Sequence, residues 1–236
     1  MMSFLTLLAA LAFALSLLLF RDFSGFAPDR FPVPQYDPPV QPAGYAFAIW
    51  GVIGLWLLAG AVFGIRDRAT DPDWEPMRPA LILSLVIGAS WIPVAQLSPL
   101  WATVLIWAML GTALLALIRA GVADHIWLRA PIALYAGWLT AASCVALAVL
   151  LAGYGYLGAR GAAGLGIGLA LAIGLGVQAM RPDAPAYPAA VIWALAGVCV
   201  ANLDGPELSI VALAAIGIAL MGWRMGVNLR RLSRFT

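Results

Sequence analysis

Aromatic residues are the side chains of this sequence best placed to bind a ligand. In QPAGYAFAIWGVIGLWLLAGAVFGI, residues 41–65, two large rings come first, at Phe47 and Trp50. Gly54 and Ala61 continue the same helical spacing, so all four positions share one face of a helix. A face that changes from large rings to small residues can open into a pocket at one end. Flat rings there would bind a planar apolar molecule by stacking and by burying its area.

Residues for acid–base, metal or nucleophilic chemistry are scarce. His125 is the single histidine, and Cys144 and Cys199 each lie within an apolar run, where we expect small buried hydrophobes. Haem held between helices usually needs histidine pairs, which the chain does not offer. The sequence also contains no nucleophilic-serine, zinc-protease or nucleotide-loop motif. We therefore predict no catalytic residue, no metal site and no required cofactor.

Composition indicates a membrane protein. Hydrophobic residues make up 64% of the 236 residues and charged residues 10%. A soluble fold of this length could not bury so much apolar surface, so the excess must face lipid. The net charge of +2 indicates no nucleic-acid partner.

Eight stretches have the length and apolar character of membrane-spanning helices, or nearly so, at about 20 residues each. Pro99, within the short segment LSPL, separates the third and fourth of them into a hairpin. The predicted fold is all-α, a polytopic membrane helix bundle of about eight transmembrane helices. The predicted spans are 2–20, 44–65, 79–97, 100–118, 131–152, 161–180, 186–203 and 208–227.

Arginines are divided unequally between the two ends of these spans. One end has Arg66, Arg68, Arg78, Arg119, Arg129, Arg181, Arg224, Arg230, Arg231 and Arg234. The other end has only Arg21, Arg30 and Arg160. Basic residues collect on the cytoplasmic side of membrane proteins, so both termini are predicted to be cytoplasmic.

The loop after the first span, residues 21–43, is then predicted to lie on the non-cytoplasmic side. Its prolines forbid a regular helix and favour an extended, semi-rigid segment, which we call the strap. We expect the strap to be accessible from that side, for example at Ser24, and to cover a site, because it is longer than a connection requires. The prolines are Pro28, Pro32, Pro34, Pro38, Pro39 and Pro42.

Two pairs of glycines have the GxxxG spacing at which membrane helices approach closely. They are Gly60 with Gly64 and Gly164 with Gly168. We predict that both pairs pack helices inside the bundle, with a dimer interface as the alternative.

The stretch 42–56 resembles the start of the second helix in the TspO/MBR family, the translocator proteins or tryptophan-rich sensory proteins. Tyr45 replaces a tryptophan of the family pattern and Gly54 replaces a tyrosine. The matching positions are Pro42, Gly44, Phe47 and Trp50.

Two further stretches resemble later helices of the same family. Residues 131–151 look like its fifth helix, with Trp138 and Ala142 in place and Ala146 where an asparagine is expected. Trp91 corresponds to a tryptophan of the third helix. The resemblance covers about residues 2–152. It implies a TspO-like five-helix domain over 1–152, followed by three additional helices and a short basic tail over 153–236.

The resemblance implies a pocket beneath the first loop, since family members bind porphyrins and, in some cases, sterols. The leading hypothesis is a ligand-binding or sensor protein of the bacterial cytoplasmic membrane, with a tetrapyrrole, another planar hydrophobic molecule or a lipid as ligand. The predicted binding residues are Tyr45, Phe47, Trp50, Trp91, Tyr135, Trp138, Ala142 and Ala146.

Two other functions remain open at this stage. The chain would be a structural or accessory subunit, or a homodimer, if the C-terminal helices supplied contacts and the aromatic rings were only packing. A pigment-degrading membrane enzyme is the least favoured reading, because the spans contain no positioned acids, bases or metal ligands.

Overall fold

The computed structural model describes residues 1–20, 23 and 25–233, and over these residues it contains eight α-helices and no β-strand. A short 3₁₀ segment, Gly44–Ala48, precedes α2, and a π-helical turn, His125–Arg129, precedes α5. The predicted all-α bundle is confirmed, and each predicted span corresponds to one helix. The helices are α1 (Met2–Leu19), α2 (Ile49–Arg66), α3 (Arg78–Leu97), α4 (Pro99–Arg119), α5 (Ala130–Gly153), α6 (Ala159–Met180), α7 (Ala186–Asn202) and α8 (Leu208–Leu232).

The helix lengths are those of an integral membrane protein. Within the described ranges, seven helical segments are long and apolar enough to cross a membrane. The remaining helix, α7, is apolar but has 17 residues, which is at the lower limit for a span. Between α3 and α4 the predicted hairpin is present, with the Ser98 side chain accepting a hydrogen bond from the Trp101 backbone amide at 3.4 Å.

Helix α5 lies at the centre of the molecule. It contacts α2 and α4 on one side and α6 and α7 on the other, and most of its residues are buried. The first five helices form a closed ring of contacts in the order α1, α2, α5, α4, α3. Helices α6, α7 and α8 pack together outside this ring and reach it mainly through α5. One hydrophobic core runs through both groups, and the division at residue 152 stays a prediction.

The two GxxxG pairs have different environments. A side chain at Gly60 would meet a backbone carbonyl of the turn before α5, and one at Gly64 would meet an indole ring 2.6 Å away. Internal packing is therefore confirmed for this pair. For Gly164 and Gly168 the prediction is wrong, because both face open space. Helix α6 packs on α5 through Gly166 instead. Gly166 is two residues from Gly164 and from Gly168, and residues two apart lie on different faces of a helix.

Arginines cap the ends of helices at one end of the bundle. Arg78 is fully buried and donates to three backbone carbonyls at and just beyond the end of α2, among them that of Ala69 at 2.7 Å. Arg181 donates in the same way to three carbonyls at the end of α4, including that of Ile118 at 3.1 Å. These carbonyls have no partner within their own helix, and a cation is favoured at this end of the helix dipole.

Asp124 links two loops at the same end. Its carboxylate accepts hydrogen bonds from Arg68 Nε at 2.7 Å and from Trp74 Nε1 at 3.0 Å. The hydrogen bond from Arg68 is the main reason why the pKa of the Asp124 carboxyl lies below its ordinary value. The residue has a left-handed backbone conformation, with φ at 49°.

We predict that Asp124→Asn destabilises the protein at neutral pH. Asparagine tolerates the left-handed conformation, so the change removes the charge without adding backbone strain. Folding lowers the pKa of Asp124. The stabilisation that the ionised carboxylate gives the folded protein is therefore fully present above the ordinary pKa of about 4, and it is lost as the pH falls through the lowered pKa. We expect a loss of about 1 kcal/mol at neutral pH.

Thermal unfolding in detergent, compared between wild type and variant over a range of pH, measures this effect. The difference should shrink as the solution is acidified. An equal difference at neutral and strongly acidic pH would show that the carboxylate charge is not responsible.

Candidate ligand-binding site

The strap is attached to the ends of α5 and α7, at the end of the bundle opposite the arginine caps. Val33 donates its amide to the Gly153 carbonyl at 2.9 Å, which attaches the strap to α5. Ala43 donates to the Gly197 carbonyl of α7 at 3.0 Å. The described part of the strap is non-helical except for one 3₁₀ turn, as its prolines predict. Arg21, Ser24 and Arg234, which the predictions above use, lie outside the described residues.

A cavity of about 50 Å³ lies beneath the strap. Its aromatic walls come from three places in the chain, with Phe47 before α2, Trp91 on α3 and Trp138 on α5. Small residues of α5 form much of the remaining wall, and α7 contributes Ala194. The strap supplies the roof, through Phe23, Gly25, Phe26, Gln41 and Pro42.

Trp138 is the centre of a cluster of rings that joins three helices. Its indole meets Phe47 and Trp50 edge to face, with ring centroids 6.0 and 5.9 Å apart. Trp50 in turn meets Phe13 of α1 at 6.0 Å, and Phe13 meets Tyr135 at 5.5 Å. Edge-to-face pairs contribute about 0.5–1.5 kcal/mol each beyond their buried area. These rings therefore interlock inside the bundle and do not point outward as interfacial anchors.

The indole N–H of Trp138 is a buried donor without an acceptor in the part of the chain that the structure describes. The residue is only 2% exposed. Other polar groups nearby do have hydrogen-bond partners. Trp91 Nε1 donates to the Ala102 carbonyl at 2.8 Å. The hydroxyl groups of Tyr135 and Ser84 share a hydrogen bond of 2.9 Å. A buried donor left unpaired costs about 1–3 kcal/mol. One residue of the cavity lining therefore carries a buried hydrogen-bond donor without a partner among the described residues.

The structure brings most of the predicted binding residues together. Trp50 lies behind Trp138, and Tyr135 is fully buried deeper in the bundle. Tyr45 is 49% exposed and packs edge to face on Trp193 of α7, away from the cavity. The resemblance to the family implied Tyr45 as a binding residue, and the contact with Trp193 holds it outside the cavity. The predicted residues that line the cavity are Phe47, Trp91, Trp138, Ala142 and Ala146.

Sequence reasoning missed the residues that the strap and α7 contribute. Phe23 and Phe26 are apolar rings in a loop predicted to face water, and such residues are usually covered by something. That pattern was a usable signal for the roof of the cavity. Ala194 is a small apolar residue within an apolar helix and carried no signal.

The lining of this site can bury apolar surface and stack against flat rings. Among the described residues the cavity lining contains no acidic or basic side chain. In the described ranges no group of three or more His, Cys, Asp or Glu residues is placed to hold a metal ion.

Fold and site together define a class, the polytopic helical membrane proteins with an aromatic cavity beneath a connecting loop. The model of the family described as TSPO-like protein matches residues 30–225, so the chain belongs to that family. The match begins in the strap and ends within α8, and it therefore includes helices beyond the residues 2–152 on which the sequence resemblance rests. No curated protein and no solved structure matches the chain.

The attachment of the strap to α7 can be tested at Gly197. A β-carbon added there would lie 2.8 Å from Cβ of Pro42, so we predict that Gly197→Leu displaces the strap. The Ala43 amide, which bonds the Gly197 carbonyl, should then exchange with solvent faster, because local opening exposes it. Gly222→Leu on α8 is the matched control, since a β-carbon at Gly222 has nothing within 4 Å.

Hydrogen–deuterium exchange of strap peptides, followed by mass spectrometry in detergent, measures the change. Equal exchange of the strap in the two variants would mean that α7 does not hold the roof in place.

Proposed function

We propose that this TSPO-like protein is a membrane ligand-binding or sensor protein whose cavity takes a planar hydrophobic ligand, a tetrapyrrole or a lipid. The observation that carries the proposal is the meeting of Phe47, Trp91 and Trp138 around one cavity beneath the strap. Rings at right angles to one another, as Phe47 and Trp138 are at 83°, offer both a face and an edge to a flat ligand. Family membership supports the same assignment.

The properties of the cavity limit the ligand further. Its walls are apolar, so the buried part of the ligand should be uncharged, because removing a charge from water without a partner is costly. Charged groups, such as the propionates of a porphyrin, should remain toward the strap and water. The N–H of Trp138 favours a ligand with a hydrogen-bond acceptor on its buried part.

We predict that Trp138→Phe weakens the binding of a porphyrin with peripheral carbonyl acceptors more than that of a porphyrin with alkyl substituents only. The substitution keeps an aromatic ring in the wall and removes the N–H group. Protoporphyrin IX dimethyl ester carries ester carbonyls, whereas etioporphyrin is the same macrocycle with alkyl groups only. One hydrogen bond of about 1 kcal/mol corresponds to an extra loss of about fivefold in affinity for the ester.

Titration of the purified protein in detergent, read by porphyrin absorbance, gives the affinities without using tryptophan emission. If neither porphyrin binds the wild type saturably, the tetrapyrrole assignment is wrong. If both ligands lose the same affinity, Trp138 contributes only its ring.

A structural or accessory role is the second candidate, and one observation favours it. Gly161, Gly164, Gly168 and Gly176 of α6 all have open space where a side chain would project. Small residues are common where membrane helices associate, so this helix offers a surface to a second copy or a partner subunit. Native mass spectrometry in a mild detergent distinguishes a monomer from a dimer or a complex.

We also propose that the chain lies in a bacterial cytoplasmic membrane with both termini in the cytoplasm. The arginine caps and their loops would then face the cytoplasm, in agreement with the preference of basic residues for that side. The strap would face the opposite side.

This orientation predicts which of two introduced cysteines is labelled in intact spheroplasts. Tyr36 of the strap is 73% exposed and Val122, in the loop before α5, is 74% exposed. In a background lacking Cys144 and Cys199, a membrane-impermeant maleimide should label Tyr36→Cys directly. Val122→Cys should react only after permeabilisation, and the reverse pattern would invert the topology.

A further inference from the structure

A second and larger hollow lies beside the cavity, between α1 and α2. This groove has a volume of about 410 Å³. Its rim includes Leu18 of α1 and Leu55 of α2, each 70% exposed and each on a membrane-spanning helix, so the groove opens toward lipid. Its lining, among the described residues, consists of apolar and aromatic side chains and glycines.

The groove and the cavity share two lining residues, Phe23 and Phe47. These rings therefore form the boundary between the two hollows. Phe23 meets Trp91 edge to face at 5.2 Å, and Phe47 meets Trp138 at 6.0 Å. Aromatic contacts hold both rings, and a phenylalanine side chain has no hydrogen bond to lose if it is displaced.

The volume that one ligand needs indicates that it would use both the cavity and the groove. Sites for drug-sized molecules have volumes of about 300–1,000 Å³, and the cavity alone has about 50 Å³. A planar ligand of that size cannot fit in the cavity as it stands. The groove, at about 410 Å³, supplies the missing space on the far side of Phe23 and Phe47.

We infer that the ligand enters sideways from the membrane, through the groove between α1 and α2, and binds across the boundary formed by Phe23 and Phe47. The inference rests on the proposed function and narrows its ligand class to molecules that dissolve in the bilayer. The acceptor-bearing part of the ligand reaches Trp138, and the apolar remainder occupies the groove. Among the described residues no charged side chain lines this route, so a charged, water-soluble ligand would form no ion pair with them along it.

Gly51 allows the groove to be filled without disturbing the bundle. It lies in the groove wall on α2, and a β-carbon built there has nothing within 4 Å. Gly111 on α4 has the same open surroundings and does not line the groove or the cavity. Gly51→Phe and Gly111→Phe therefore make the same chemical change on two lipid-facing helices. Only Gly51→Phe narrows the route. Gly51→Leu provides an intermediate degree of filling.

The experiment measures binding of protoporphyrin IX dimethyl ester to protein reconstituted in phosphatidylcholine vesicles, with the ester added through the lipid. Tryptophan quenching after rapid mixing gives the association rate, and equilibrium titration gives the affinity. We expect Gly51→Phe to slow association by roughly tenfold, with Gly51→Leu in between and Gly111→Phe equal to wild type. Because the ligand also occupies the groove, the affinity of Gly51→Phe should fall as well.

The outcomes separate this inference from the proposed function. If the wild type does not bind the ester, the proposed function fails. If the wild type binds and Gly51→Phe matches Gly111→Phe in both rate and affinity, the groove is not used and the lateral route is wrong. Should Gly51→Phe not fold, Leu18→Phe on the opposite wall narrows the same groove without adding a tryptophan, and the same comparison applies.

Discussion

The attachment of the strap to α5 and α7 is the interaction on which the cavity depends. Backbone groups within a membrane protein must find partners in the chain where water does not reach them. The strap meets this requirement with hydrogen bonds from Val33 to Gly153 and from Ala43 to Gly197, and by accepting one from Asn202 at the Pro39 carbonyl. Its prolines have no amide to satisfy, which makes them suitable for an irregular segment here. Without this roof the three aromatic walls would surround an open cleft.

The C-terminal helices have a clear part in this arrangement. Helix α7 carries Gly197 against the strap and contributes Ala194 to the cavity, and it packs along α5, which carries Trp138. Gly137 allows that close contact, because a side chain there would collide with the backbone at Tyr187. The five-helix ring therefore does not form the candidate site alone. The family match, which continues through α7, is consistent with a site built by both groups of helices.

The two ends of the bundle are held by different forces. At one end, arginines donate charge-assisted hydrogen bonds to helix ends, and Arg129 pairs with Asp183. At the other end, the cavity is held mostly by contacts between rings and small apolar residues. Charge-assisted hydrogen bonds are strong and directional, whereas contacts between rings are apolar and favour edge-to-face or offset arrangements. One end of the bundle therefore depends on directional polar contacts and the other on apolar packing.

The sequence by itself determined the fold class, the helix positions and the inward face of Trp50, Gly54 and Ala61. These features depend on local rules, because a helix in lipid satisfies its own backbone and its side chains repeat every 3.6 residues. Only the tertiary structure decided that Tyr45 turns toward Trp193, that Arg78 and Arg181 cap helices, and that Ala194 joins the site. It also decided the volume of the cavity and gave the Trp138 N–H no partner among the described residues. Those features depend on residues far apart in the chain, and no local pattern specifies which neighbours packing brings together.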